Sequence, residues 1–188
     1  MFEISFFQAF IFITFLWIVT RVIVWIKNKK SKEKLPVKKM LGRELKLLMV
    51  YVCIIVIARI VYFPMHHING HIGTLKFNSA KNIPLRVNLV PFIHLNDIYA
   101  GRHMNIIGNI CMFIPVGIVW PVCFKELNKL WKILLAGFGF SLFIELSQLF
   151  FYERCTDVDD LLMNTIGVFI GVLLYYIFRP SPQKDSKN

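Results

Sequence analysis

The sequence predicts an all-α membrane protein, a five-span transmembrane helix bundle, and three observations predict it. Of 188 residues 56% are hydrophobic and only 18% charged, with 18 phenylalanines and a mean hydropathy of +0.59. A water-soluble domain of this size rarely tolerates that balance. Five apolar stretches, at residues 5–26, 45–63, 106–123, 133–151 and 161–178, are each long enough to cross the hydrocarbon core. The basic residues that separate them alternate in density from one connection to the next.

The first stretch follows an acidic Glu3 and is itself followed by positive charge. That order, and its length, predict a retained span in place of a cleaved signal peptide. Between the first and second stretches nine Lys/Arg residues fall from Lys27 to Lys46, against Glu33 and Glu44. This density predicts a cytoplasmic loop. With five spans, the basic connection at 125–132 and the tail after Arg179 then fall on the same side. The expected topology has the N-terminus outside and the C-terminus cytoplasmic, with a long, loop-rich extracytoplasmic segment at 64–104. The expected organisation is an N-terminal span plus basic loop (1–45), a helical bundle (46–178) and a flexible tail (179–188). The net charge of +11 is read as positive-inside topology and attraction to anionic lipid, with membrane lipids as partners and no nucleic acid. Trp17, Trp25, Trp120 and Trp131 supply candidate interface anchors, Trp17 lying too deep for that role.

The informative residues are those that a membrane helix excludes on cost unless they are paired or hydrated. In the fourth span Gly137, Ser141, Glu145 and Gln148 recur at spacings of four, four and three, which puts them on one face. The fifth span opens with Asp157, Asp159 and Asp160, and Asp157, Asp160, Asn164, Gly167 and Gly171 share a face that ends in a GxxxG contact surface. The third span opens with Asn105 and Asn109, four apart, and continues through Pro115 and Gly117, which permit bending and close approach. Arg154 precedes the aspartates, and Arg59 ends the second span. A charged, hydrated pocket at the outer end is the arrangement these positions predict.

The outer segment holds all five histidines, three of them within His66 to His71, but without cysteine partners they are expected as loop residues and not as metal ligands. Short strands near residues 74–77 and 85–90 are one expectation for this segment. An interfacial or re-entrant element at Pro91 and Phe92 with Ile93, tucked against the bundle and bringing Asn88 near the acids, is the other. Cys53, Cys111 and Cys123 fall in spans and Cys155 in the outer connection, where neighbouring carboxylates should raise its pKa and disfavour a nucleophilic role. There is no glycine-rich phosphate loop, HExxH or GxSxG sequence.

Four segments in order, Asn88-Leu-Val-Pro-Phe92, Asn105-Ile-Ile-Gly-Asn-Ile-Cys-Met-Phe-Ile-Pro-Val-Gly117, Ser141-Leu-Phe-Ile-Glu-Leu-Ser-Gln148 and Arg154-Cys-Thr-Asp-Val-Asp-Asp-Leu-Leu-Met-Asn-Thr-Ile-Gly167, resemble the VanZ-like family of small bacterial membrane proteins. The resemblance covers roughly residues 88–171. It implies a multi-pass protein of the bacterial cell membrane, acting at the cell envelope, in a family associated with lowered susceptibility to the glycopeptide teicoplanin. It implies no known reaction. The family's polar positions fall on Asn88, Asn105, Asn109, Ser141, Glu145, Gln148, Arg154, Asp157, Asp159, Asp160 and Asn164. The functional expectation is binding of an amphiphile, a lipid-linked cell-wall precursor or a lipoglycopeptide, by Asn88, Asn105, Asn109, Ser141, Glu145, Gln148, Arg154, Asp157, Asp160 and Asn164, with no cofactor. The arginines are expected either to bond a phosphate or only to neutralise the acids. The alternative is an intramembrane enzyme with Glu145 as general acid/base and Asp157, Asp159 and Asp160 holding a hard cation. A purely structural role for the polar stripes is the third reading.

Overall fold

The computed structural model describes residues 2–30, 37–63, 67–68, 71–77, 86–92, 102–151 and 154–179. Its elements run β1 (Phe2–Ile4), α1 (Phe6–Lys30), α2 (Val37–Tyr62), β2 (His67–Ile68), β3 (His71–Ile72), β4 (Leu75–Phe77), β5 (Val87–Asn88), α3 (Arg102–Cys123), α4 (Leu130–Gln148), β6 (Thr156–Asp157) and α5 (Val158–Phe178). The five helices are those long and apolar enough to cross a membrane, as the apolar runs predict.

The bundle is organised on α5. Val168 and Val172 of α5 meet Phe113 and Val116 of α3, Ile133 and Ile144 of α4, and Ile57 of α2 in one core. Glycine makes the closest approach possible: a Cβ on Gly117 would lie 2.9 Å from the Cα of Gly171, and one on Gly137 would run into the Val168 side chain. A Cβ on Gly167 or Gly171 would collide with the carbonyl oxygen of Ile110 or Ile114, respectively. The small residues of the fifth span are therefore contact surface, as their spacing predicts. Pro115 and Pro121 are accommodated inside α3.

Helix α1 lies at the periphery, with no buried residue in its span. It is tied to α2 by Thr14 and Tyr51, whose hydroxyls are 2.7 Å apart, and by an ion pair between Arg21 and Glu44. Residues 37–44, expected within a loop, are helical and extend α2 toward its N-terminus. Lys, Arg, Leu and Met are good helix formers, so the charge that marks this stretch as non-membranous does not interrupt the helix. Trp25 and Trp131 stand exposed at the basic end, in keeping with interface anchoring. Trp17 and Trp120 instead pack against Tyr51 and Phe140.

Among the described residues three two-stranded pairings cover the opposite end. β1 pairs antiparallel with β4, β2 with β3, and β5 runs parallel to β6 with Asn88 opposite Asp157. Both expectations for the outer segment hold in part, because short strands form and one of them carries Asn88 to the acids. Of the histidines, His67 and His71 have their backbones paired in β2 and β3, and His103 lies in the first turn of α3. His66 and His94 lie outside the described residues.

Candidate functional site at the strand end of the bundle

The site begins with the start of α5. Asp157 adopts an extended backbone (φ −126°, ψ 126°), and its carboxylate accepts the Asp159 N–H at 2.9 Å, an N-cap that satisfies one of the orphan donors of the first turn. Asp159 and Asp160 follow in that turn, where the helix dipole favours negative charge.

Each acid then has its own partner. The Asn88 amide donates to Asp157 (2.9 Å), the Asn109 amide of α3 donates to Asp160 (2.5 Å), and the Phe92 N–H donates to Asp159 (2.7 Å). Asp159 is therefore half-buried and engaged, not merely a solvated helix-start acid. Phe92 takes a left-handed conformation (φ 63°), which costs a bulky residue about 1–3 kcal/mol and is held here by that bond. Among the described residues no group of three acids, histidines or cysteines has a metal-binding arrangement. Asp157, Asp159 and Asp160 are directed at three different donors.

Helix α4 brings its polar stripe to the same place. Gly137, Ser141, Glu145 and Gln148 are all buried, so the stripe faces inward as its period predicts. Glu145 is 3% exposed, and its Oε2 accepts the backbone N–H of Asp157 at 3.0 Å. The Glu145 carbonyl accepts the Thr156 hydroxyl at 2.7 Å, so side chain and main chain together fasten β6 to the end of α4. A turn deeper, the Asn164 amide donates to the Ser141 hydroxyl at 2.9 Å, and the Asn164 carbonyl oxygen is buried without a partner among the described residues. Gln148 is 6% exposed, and its side-chain amide makes no hydrogen bond among the described residues. The second oxygen of Glu145 likewise accepts none there.

The arginines turn another way. Arg154 donates to the Tyr62 carbonyl at 2.6 Å and Arg59 to the Phe63 carbonyl at 3.1 Å, so both engage the C-terminal end of α2, with Arg59 also over the Phe6 ring. Cations at a helix C-terminus meet the negative end of its dipole. Asn105 stands exposed at the rim, one turn beyond Asn109 on the same face of α3. Burial and the Asp157 charge push the Cys155 thiol up from its ordinary pKa, the opposite of what a nucleophile needs.

Two participants carry no signal in the sequence. Tyr62 hydrogen-bonds Ser147, whose hydroxyl also donates to the Ile144 carbonyl at 2.7 Å. Phe92 contributes a backbone donor, which side-chain reasoning does not see.

A five-helix membrane bundle with a carboxylate and amide cluster at one end, drawn from α3, α4, α5 and β5, is the class that fold and site define. The chain belongs to the VanZ/LLP1 family, whose profile matches residues 48–179. It is similar to Protein VanZ of Enterococcus faecium, with 36% identity over 89 residues, 47% of this chain. The match spans only 52% of that relative's length. No solved structure matches the chain.

Proposed function

We propose that this VanZ-family protein binds the polar head of an amphiphile at the strand end of its bundle, on the extracytoplasmic side of a bacterial cell membrane. The amphiphile is a lipid-linked cell-wall precursor or a lipoglycopeptide, and its capture lowers susceptibility to teicoplanin. One observation carries the reading: Glu145 and Gln148 are 3% and 6% exposed on one face of α4, yet the Gln148 amide and the second Glu145 oxygen make no hydrogen bond among the described residues and are not sealed from solvent. Polar atoms held on an otherwise buried stripe and left open are the groups that a ligand's donors and acceptors would meet, and packing alone would be served by apolar residues.

The chemistry of the cluster narrows the head group. Glu145, Asp157, Asp159 and Asp160 present acceptors, whereas Arg154 already donates to Tyr62. Complementarity therefore favours a head rich in N–H and O–H donors, a peptide or glycan, over a bare phosphate. Exposed apolar side chains such as Phe143 and Leu146 on α4 and Phe150 beyond it offer a surface for the lipid portion.

The test is teicoplanin susceptibility in a bacterial host that produces the chain. The parent should raise the inhibitory concentration above an empty-vector control, and Gln148→Leu at equal membrane abundance should return it to control. A Gln148→Leu variant as protective as the parent would remove the site from the mechanism.

A further inference from the structure

The far end of the bundle holds a second site of different character. A groove of 480 Å³ opens between α2, α3 and α5, lined by Ile118, Val122, Leu174 and Phe178 with Lys46 and Arg179 at its edges. Both cations are exposed, and neither is paired with a carboxylate among the described residues. Among the described residues no acidic side chain lines the groove. The Arg179 guanidinium is steadied 5.9 Å above the Tyr175 ring, and Lys46 is placed by α2, whose carbonyl at that residue accepts from the Cys123 thiol at 3.1 Å.

We infer that this groove binds one anionic glycerophospholipid, its phosphate between Lys46 and Arg179 and the upper part of an acyl chain along Ile118, Val122, Leu174 and Phe178. The volume lies within the ~300–1,000 Å³ of ordinary ligand sites, room for part of a lipid and not the whole. Charge complementarity selects the occupant. Two cations without a carboxylate partner among the described residues, above an apolar slot, attract a phosphate monoanion that carries its own hydrocarbon, and basic pockets between membrane helices take such head groups. A neutral lipid would leave both charges without a counter-ion, and a free phosphate would leave the apolar wall uncovered. The residues are distinct from those of the strand-end site, so this inference stands apart from the proposed function.

Native mass spectrometry of the full chain, extracted from vesicles of equal dioleoylphosphatidylglycerol and dioleoylphosphatidylcholine, tests it. Each basic group near a lipid phosphate is worth about fivefold, so the parent should retain one phosphatidylglycerol about 25-fold over phosphatidylcholine. Lys46→Gln with Arg179→Gln should bring that preference close to unity, while Lys46→Arg with Arg179→Lys should keep it. Val122→Trp, which fills the slot without changing charge, should lose the bound lipid, with thermal melting used to show that the bundle is intact. Equal retention of the two lipids by the parent, or an undiminished preference in the double glutamine variant, overturns the inference. Displacement by millimolar inorganic phosphate, which marks a free-anion site, overturns it too, as does a lipid-free dimer that Val122→Trp dissociates.

Discussion

Replacing Gly171 with leucine should destabilise the bundle by about 3 kcal/mol, the upper part of the range for overpacking a close-packed interior. At this position even a Cβ would collide with the carbonyl oxygen of Ile114 and come within 3.0 Å of the Gly117 Cα. Both obstacles are backbone atoms, so relief requires α3 and α5 to move apart and not a side chain to rotate. Separation would uncover Val168, Val172, Phe113 and Val116, the centre of the core. Gly139→Ala on α4 is the matched control, since nothing lies within 4 Å of its added Cβ, and it should melt with the parent. Thermal melting of the two variants in detergent micelles checks both outcomes. Equal melting temperatures would mean that α3 and α5 do not meet at these glycines.

Glu145 separates folding from binding. Glu145→Leu removes the acceptor of the Asp157 N–H and should cost about 2 kcal/mol of stability, the penalty for a buried donor left unmade. Glu145→Gln keeps an oxygen at that place, so its stability should stay within about 1 kcal/mol of the parent. The second oxygen, which accepts nothing among the described residues, becomes a donor in the glutamine. Binding of a donor-rich head group should then fall about tenfold, the equivalent of about 1.4 kcal/mol. Titration of a fluorescent lipoglycopeptide against parent and variants in vesicles, beside thermal melting, reads the two effects separately. A glutamine variant that binds as well as the parent would leave Glu145 a purely structural role.

Much of this arrangement is legible in the chain itself, for identifiable reasons. Apolar runs of membrane length report the helices directly, because the bilayer imposes a minimum length that few other structures need. The period of three and four in Gly137, Ser141, Glu145 and Gln148 reports their common face because an α-helix repeats every 3.6 residues, and all four are buried. The aspartates at 157, 159 and 160 sit where a helix start stabilises acids.

Other features escape such reading. β1 and β6 are three and two residues long, too short for alternation to show, and their pairings with β4 and β5 join segments distant in sequence. The Arg21–Glu44 ion pair joins a span to a stretch that composition assigns to a loop. Arg154 has the right charge and place to serve the acids, and only geometry shows it donating to the end of α2. The left-handed Phe92 is invisible for the same reason, since no residue type there announces a positive φ.

Amides and carboxylates from distant parts of the chain meet at one end of the bundle, and a single oxidation experiment probes that meeting. Asn88 and Asp157 are register partners in the parallel β5–β6 pair, a spacing at which cysteines can bridge. In a chain whose four native cysteines are replaced by serine, Asn88→Cys with Asp157→Cys should form an intramolecular disulfide on mild oxidation in intact membranes. Asn88→Cys with Leu173→Cys, farther along α5, should not. Two free thiols in the first pair, with the bundle still folded by its melting transition, would contradict the account.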